Sequence, residues 1–157
     1  MEVTQKKDDE LLQLVTFSIG EEEFGVDILK VQEIIRTMEI TKVPRAPEFV
    51  EGVINLRGKV IPIIDLRRRF GLSSKTHDSH TRIIVIEINS MIVGFVVDSV
   101  SEVLRIPVST VEPPPPVVAG MDSDYISGVG KLQDRLLILL DLDKLLSADD
   151  LEQLTQI

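Results

Sequence analysis

Two stretches decide the fold of this chain: LVTFSIGEEEFGVDILKVQEIIR, Leu14 to Arg36, and IIVIEINSMIVGFVVDSVSEVLR, Ile83 to Arg105. A shift of 69 residues lays the first on the second without a gap, so that Gly25 meets Gly94, Val31 meets Val100, Glu33 meets Glu102 and Arg36 meets Arg105. A shift of 76 lays GVINLRGKVIPIIDLRRRF, Gly52 to Phe70, on GVGKLQDRLLILLDLDKLL, Gly128 to Leu146, matching Gly52 with Gly128 and Asp65-Leu66 with Asp141-Leu142. Two matches in the same order, at offsets seven residues apart, indicate a duplicated unit.

Within each unit the local patterns read as short strands. Leu11 to Ile19 alternates, Gly20 to Glu22 turns, and Glu23 to Val26 returns. Val50 to Leu56 and Lys59 to Asp65 form a hairpin about Arg57-Gly58, where Gly58 supplies the positive φ of a tight turn. Pro62 cannot donate to a ladder, which predicts an edge or a bulge there. Strands follow at Arg82 to Ile88 and Met91 to Val97, and a last hairpin joins Ile126 to Leu132 with Arg135 to Leu140. Ser101 to Ile106 fits strand or helix equally. Asp27 is placed as the N-cap of a helix from Ile28 to Ile35, with Ile28, Val31 and Ile35 on one face. Leu66 to Phe70, ended by Gly71, Asp141 to Leu146 and Ala148 to Gln156 read as further short helices, and Ser73 to His80 as a polar linker.

The chain has 157 residues, of which 55 are Ile, Val or Leu, with no Cys and no Trp. That aliphatic content supports a β-rich core and excludes disorder. About five strands per unit suit two small SH3-like barrels, whose crevice is a natural docking place. The absence of Cys removes disulfides, thiolate nucleophiles and Cys-ligated zinc. No apolar run approaches the ~20 residues that span a bilayer, and the first ten residues carry no signal-peptide stretch, so a soluble cytoplasmic protein is expected. A net charge of −9 disfavours nucleic acid and anionic lipid. The local exception is Arg57, Lys59 and Arg67 to Arg69, read as a solvated basic rim ahead of a phosphate or nucleic-acid site.

The only histidines, His77 and His80, lie in the polar stretch THDSH, without the third ligand or the apolar surroundings of a metal or catalytic site. No nucleophile elbow, P-loop or dinucleotide glycine pattern occurs. A binding module without catalytic residues, cofactor or metal is therefore expected. Glu33, beside Val31 and Ile34 and within reach of Arg57, reads with equal weight as a surface salt bridge or as a polar anchor in an apolar docking surface.

FGVDILKVQEII (Phe24 to Ile35), FVEGVINLRGKVIPIIDL (Phe49 to Leu66), VGFVVDSVSEVL (Val93 to Leu104) and YISGVGKLQDRLLILLDLDKLL (Tyr125 to Leu146) together resemble the CheW family of bacterial chemotaxis coupling proteins. The N-L-R-G tip followed by P-x-x-D-L is the sharpest element. The resemblance implies a mainly β fold of two SH3-like five-stranded barrel subdomains with short helices. It places a flexible tail at 1–10, one CheW-like domain at 11–146 with subdomains at about 14–80 and 81–146 and the N-terminal strand open to sharing, and a helix or tail at 147–157.

It also implies a non-catalytic adaptor joining the helical hairpin tips of chemoreceptors to the CheW-like regulatory domain of the histidine kinase CheA, with further copies of itself in array rings. Neither nucleic acid nor membrane insertion is implied, and the setting is the cytoplasm beneath receptor arrays. The implied binding residues are Val31, Glu33, Ile34, Gly52, Arg57 and Gly58, with Val96, Val100, Val103 and Leu104 as an apolar wall. The segment Glu112 to Val117 would lie near a further ring contact. An adaptor of another phosphorelay pathway is the alternative. A CheV-type adaptor, which carries a receiver domain, fits a chain of this length less well.

Overall fold

A computed structural model describes residues 10–114 and 125–155. The N-terminal tail and the proline-rich segment beyond Pro114 lie outside the described residues. The elements run β1 (Leu11–Ile19), β2 (Glu22–Asp27), β3 (Val31–Arg36), β4 (Val50–Leu56), β5 (Lys59–Asp65), α1 (Leu66–Arg69), β6 (Arg82–Ile88), β7 (Met91–Val97), β8 (Ser99–Pro107), β9 (Val111–Glu112), β10 (Ile126–Lys131), β11 (Leu136–Leu140) and α2 (Ala148–Thr155).

Two sheets result, ordered β8-β1-β2-β11-β10-β9 and β3-β6-β7-β5-β4. The first has five strands plus the two-residue β9, and the second has five. Both registers obey the sequence repeat. In the second sheet β4 pairs with β5 at Gly52↔Ile63, beside a bulge between Val50 and Gly52, and β5 pairs in parallel with β7 at Ile63↔Gly94. Shifting β4 and β5 forward by 76 and β7 back by 69 gives Gly128↔Leu139, a bulge between Ile126 and Gly128, and Leu139↔Gly25. All three occur in the first sheet.

The division of the chain differs from the expected cut near residue 80. One compact unit holds the residues up to Ile28 with Ser101–Leu145; the other holds Leu29–Val100 with the residues from Leu146 onward. Each sheet therefore takes its first hairpin from one repeat and its remaining strands from the other. The β1–β2 hairpin is completed by β8, β10 and β11, and the β6–β7 hairpin by β3, β4 and β5. Equivalent strands present equivalent side chains, so the exchange preserves the β4–β5 and β5–β7 registers in their counterparts.

Three local expectations change. Val31 to Arg36 is strand, preceded by a single 3-10 turn at Ile28–Lys30, and Asp27 closes β2 instead of capping a helix. The spacing 28, 31, 35 suits a helix, yet 31, 33, 35 suits a strand equally, and pairing with β6 decides. Its repeat partner β8 is strand for the same reason. Pro62 sits on an interior strand, and the bulge lies in β4. Val53 donates its N–H to the Thr41 carbonyl at 2.8 Å and its carbonyl accepts the Thr41 N–H at 2.9 Å, so the Val53↔Pro62 pair is one that exchanges no hydrogen bonds. The missing N–H of Pro62 consequently leaves no gap in that ladder. Ser73 to His80 is irregular but begins and ends within one unit, so it is a tethered loop and not a linker.

Each unit has its own core. Ile54, Ile61, Ile63, Ile83, Val85 and Val96 cluster in the second, with Ile35, Ile40, Leu56 and Ile92 packed around them. Leu14, Ile106, Leu137 and Leu139 do so in the first, with Leu12, Leu104, Val111 and Leu132 around them. Burying an aliphatic side chain of this kind contributes about 1.5–3 kcal/mol. Phe17 and Phe24, paired across the first hairpin, add a stacked contact at 5.7 Å.

Candidate functional site

The site grows from the β4–β5 hairpin. Arg57 and Gly58 adopt φ of 52° and 83°, the two positive values of a type I′ turn, and Asn55 accepts the Gly58 N–H at 3.0 Å. The tip is thereby fixed, and Arg57 leaves it with a side chain 71% exposed.

β3 and β4 are the two outermost strands of their sheet, yet Arg57 and Glu33 meet. Curling of the sheet brings its edges together, as the Thr41–Val53 bridge records on the segment that follows β3. The guanidinium grips the Glu33 carboxylate at two points, 2.5 and 2.8 Å apart from its oxygens. Such fork-on-fork contact fixes orientation as well as distance. The hydrogen bond from Arg57 is the main reason the Glu33 carboxyl is held below the ordinary glutamate range. Partial desolvation opposes it and the cationic charge adds to it. Reciprocally, Glu33 pushes Arg57 further up.

The remaining expected residues distribute differently. On a strand, neighbours face opposite ways. Glu33 therefore shares its side with Ile35, while Ile34 looks outward and is 38% exposed; a bulge separates Val31 from Glu33 and breaks the alternation there. Glu33 and Ile34 do not form one patch, contrary to the helical reading. Gly52 is buried, and a Cβ there would stand 2.3 Å from the Thr41 carbonyl oxygen. Its role is to admit the edge bridge. Val96 is 7% exposed and belongs to the core, so it lines no wall. Val100 is half-buried near the end of the same unit. Val103 and Leu104 belong to the other unit, where Val103 is 54% exposed and Leu104 packs against the core.

Residue-by-residue reading left out two exposed positions that the repeat relates. Val60 on β5 and Leu136 on β11 are equivalents and both are exposed, as are Ile34 and Val103. The charge pair has no such counterpart: Glu102 replaces Glu33, but Gln133 stands in place of Arg57. Glu102 is instead anchored through its backbone, where the buried Thr16 hydroxyl donates to its carbonyl at 3.0 Å and accepts its N–H at 3.2 Å.

The basic run is committed within its own unit. Arg67 pairs with Asp98 at 2.6 Å, Arg68 donates to Ser74, and Arg69 reaches Asp150 at 3.4 Å and lies over the Phe49 ring. His77 bridges Thr37 at 2.9 Å and Glu51 at 3.1 Å. No group of three or more potential metal ligands occurs among the described residues.

A rolled β unit that holds a rigid ion pair at an exposed hairpin tip, with aliphatic side chains exposed on neighbouring strands, defines a protein-binding module. The chain matches the family model of the CheW-like domain over residues 13–150, and it belongs to that family. It is 41% identical to the chemotaxis protein CheW of Klebsiella aerogenes, over 88% of this chain and 84% of that one. It is 37% identical to the chemotaxis protein CheW of Treponema pallidum, over 95% and 90%. A crystal structure of the scaffolding protein TtCheW from Thermoanaerobacter tengcongensis superposes with a TM-score of 0.82 at 41% identity, covering 90% of this chain and 96% of the other. As a member of this family the chain is a non-catalytic chemotaxis adaptor.

Proposed function

We propose that the chain couples the cytoplasmic hairpin tips of chemoreceptors to the CheW-like regulatory domain of CheA, and that the Glu33–Arg57 pair is the polar anchor of one of these contacts. The observation that carries this reading is the two-point grip on Glu33 by a tip arginine that remains 71% exposed. A charge held in one orientation at an exposed tip specifies a partner's register without having to be ordered on binding. Val31 precedes Glu33 on β3, Gly58 shapes the tip, and the exposed Ile34 and Val60 supply apolar contact area on this unit with the half-buried Val100, while Val103, beside Leu104, supplies it on the other. Gly52 and Val96 act through the fold.

The adaptor acts in the cytoplasm under membrane receptors; among the described residues no helix is long and apolar enough to cross a membrane. Weak individual contacts to receptor, kinase and further copies of the adaptor become strong when arrayed, because later contacts form at high effective concentration. Signalling follows only if the adaptor binds the receptor's two states with different free energy.

The test is reconstitution with a receptor cytoplasmic fragment and CheA, followed by sedimentation and an autophosphorylation assay. Co-sedimentation with raised kinase activity supports the coupling. Absence of a complex with either partner moves the adaptor to another phosphorelay pathway.

A further inference from the structure

We propose that a basin on the unit of β3 to β7 binds a sugar phosphate, independently of the adaptor contacts. The cavity measures about 540 Å³ and is walled by the loop that precedes β4 and by the loop 73–80. That volume is in the usual range for small organic ligands and is larger than a bare phosphate ion needs.

Four cations line it, Lys42, Arg45, Arg68 and Lys75. Arg68 is spent on Ser74 and the Glu48 carbonyl, and Lys75 pairs with Asp78 at 3.6 Å. Among the described residues, however, the side chains of Lys42 and Arg45 have no hydrogen-bond or ion-pair partner, and neither has the Thr76 hydroxyl. Two of the three acids of the wall are engaged elsewhere, and the third, Glu48, leaves the four cations in excess. Asp65 accepts from the Arg67 N–H and the Ser74 hydroxyl, and Glu51 is held by His77.

Arg45 is also positioned at a conformational cost. Val43 to Ala46 closes by an Ala46 N–H to Val43 carbonyl bond, with Pro44 second and Arg45 third at φ 63°, where a turn of this kind favours glycine. An arginine at a position that favours glycine is uncommon, and the surrounding chain holds it there.

The composition of the wall sets the ligand class. Lys42 and Arg45 suit a phosphate, while the Glu48 carboxylate and the Thr76 hydroxyl suit sugar hydroxyls. No aromatic ring lines the basin, which removes the stacking platform a nucleobase would use.

The experiment is an amide NMR titration of the full chain with ribose 5-phosphate, inorganic phosphate and ribose, at low and at 0.5 M salt. Saturable shifts confined to residues 42–51 and 74–77 are expected with ribose 5-phosphate, about tenfold weaker with phosphate, and absent with ribose. Arg45→Gly, which suits the turn, should keep the melting temperature at or above that of the parent while weakening binding about tenfold. Lys131→Ala, on the other unit, should bind as the parent does. Equal binding of inorganic phosphate and ribose 5-phosphate would reduce the basin to a general anion contact and overturn the assignment. Shifts that do not saturate, or that survive Lys42→Ala/Arg45→Gly, would overturn it as well.

Discussion

Arg57, at the tip of one hairpin, and Glu33, on the strand at the opposite edge of the same sheet, are locked together by two hydrogen bonds of 2.5 and 2.8 Å. The pair is exposed, so its contribution lies in presenting a charge in one orientation more than in holding the fold. Glu33→Lys and Arg57→Ala should leave the melting transition close to that of the parent, yet each should reduce co-sedimentation with receptor or kinase at least tenfold. The swap Glu33→Arg/Arg57→Glu retains an internal pair with reversed polarity. Binding restored by the swap would show that the partner reads only the shape of the tip, and would remove the charge from the contact.

Acid should release the pair. The Glu33 carboxyl is held low in the folded chain, so its contribution is complete above the ordinary glutamate value of about 4.3 and disappears as pH falls through its lower folded value. Carboxyl NMR titration should place the Glu33 midpoint below that ordinary value, and Arg57→Ala should move it upward. An unmoved midpoint would mean that Arg57 is not the cause.

Gly52 and Gly58 should fail differently. An alanine Cβ at Gly52 meets the Thr41 carbonyl oxygen at 2.3 Å and the Ile40 side chain at 2.7 Å, so Gly52→Ala should cost about 1–3 kcal/mol by urea denaturation. At Gly58 nothing lies within 4 Å, and the obstacle is the φ of 83°. Gly58→Ala should cost about 1 kcal/mol and Gly58→Asn clearly less, because Asn tolerates that region. Equal losses at both glycines by Ala and Asn alike would refute the distinction.

Val96 and Val103 entered together as wall residues, and burial separates them. Val96→Ala empties a core position and should destabilise by about 2 kcal/mol. Val103→Ala should stay within about 0.5 kcal/mol and report on binding alone. A stability loss at Val103 matching that at Val96 would contradict its exposure.

His77 ties the loop 73–80 to Thr37 and Glu51. His77→Ala should speed hydrogen exchange in that loop while elemental analysis of the parent finds no stoichiometric metal. A bound metal lost with His77 would make the histidine a ligand after all.

Hairpins were legible in the chain because a turn such as Arg57-Gly58 and the alternation on either side are local. The first hairpin, the pair at 82–88 and 91–97 and the turn at Gly58 stand where the patterns place them. Val31 to Arg36 was not legible, since six residues satisfy both periodicities and only the neighbouring β6 distinguishes them. The burial of Val96 was hidden for a similar reason: an apolar residue in a strand has the same letter whether it faces the core or a partner.

The sequence by itself determined the duplication, and through the two offsets it required the corresponding strands of the two sheets to align in the same register, since register follows from side-chain pattern. Which copy of β3 or β8 completes which sheet was decided only in three dimensions. Both copies offer nearly the same pairings, so closure within a repeat and closure by exchange are almost indistinguishable strand by strand. In the folded chain the passage from one unit to the other comes after Ile28, and closure is by exchange. The same rolling of the sheet set Arg57 against Glu33, 24 residues earlier, and turned two exposed charges into one fixed feature.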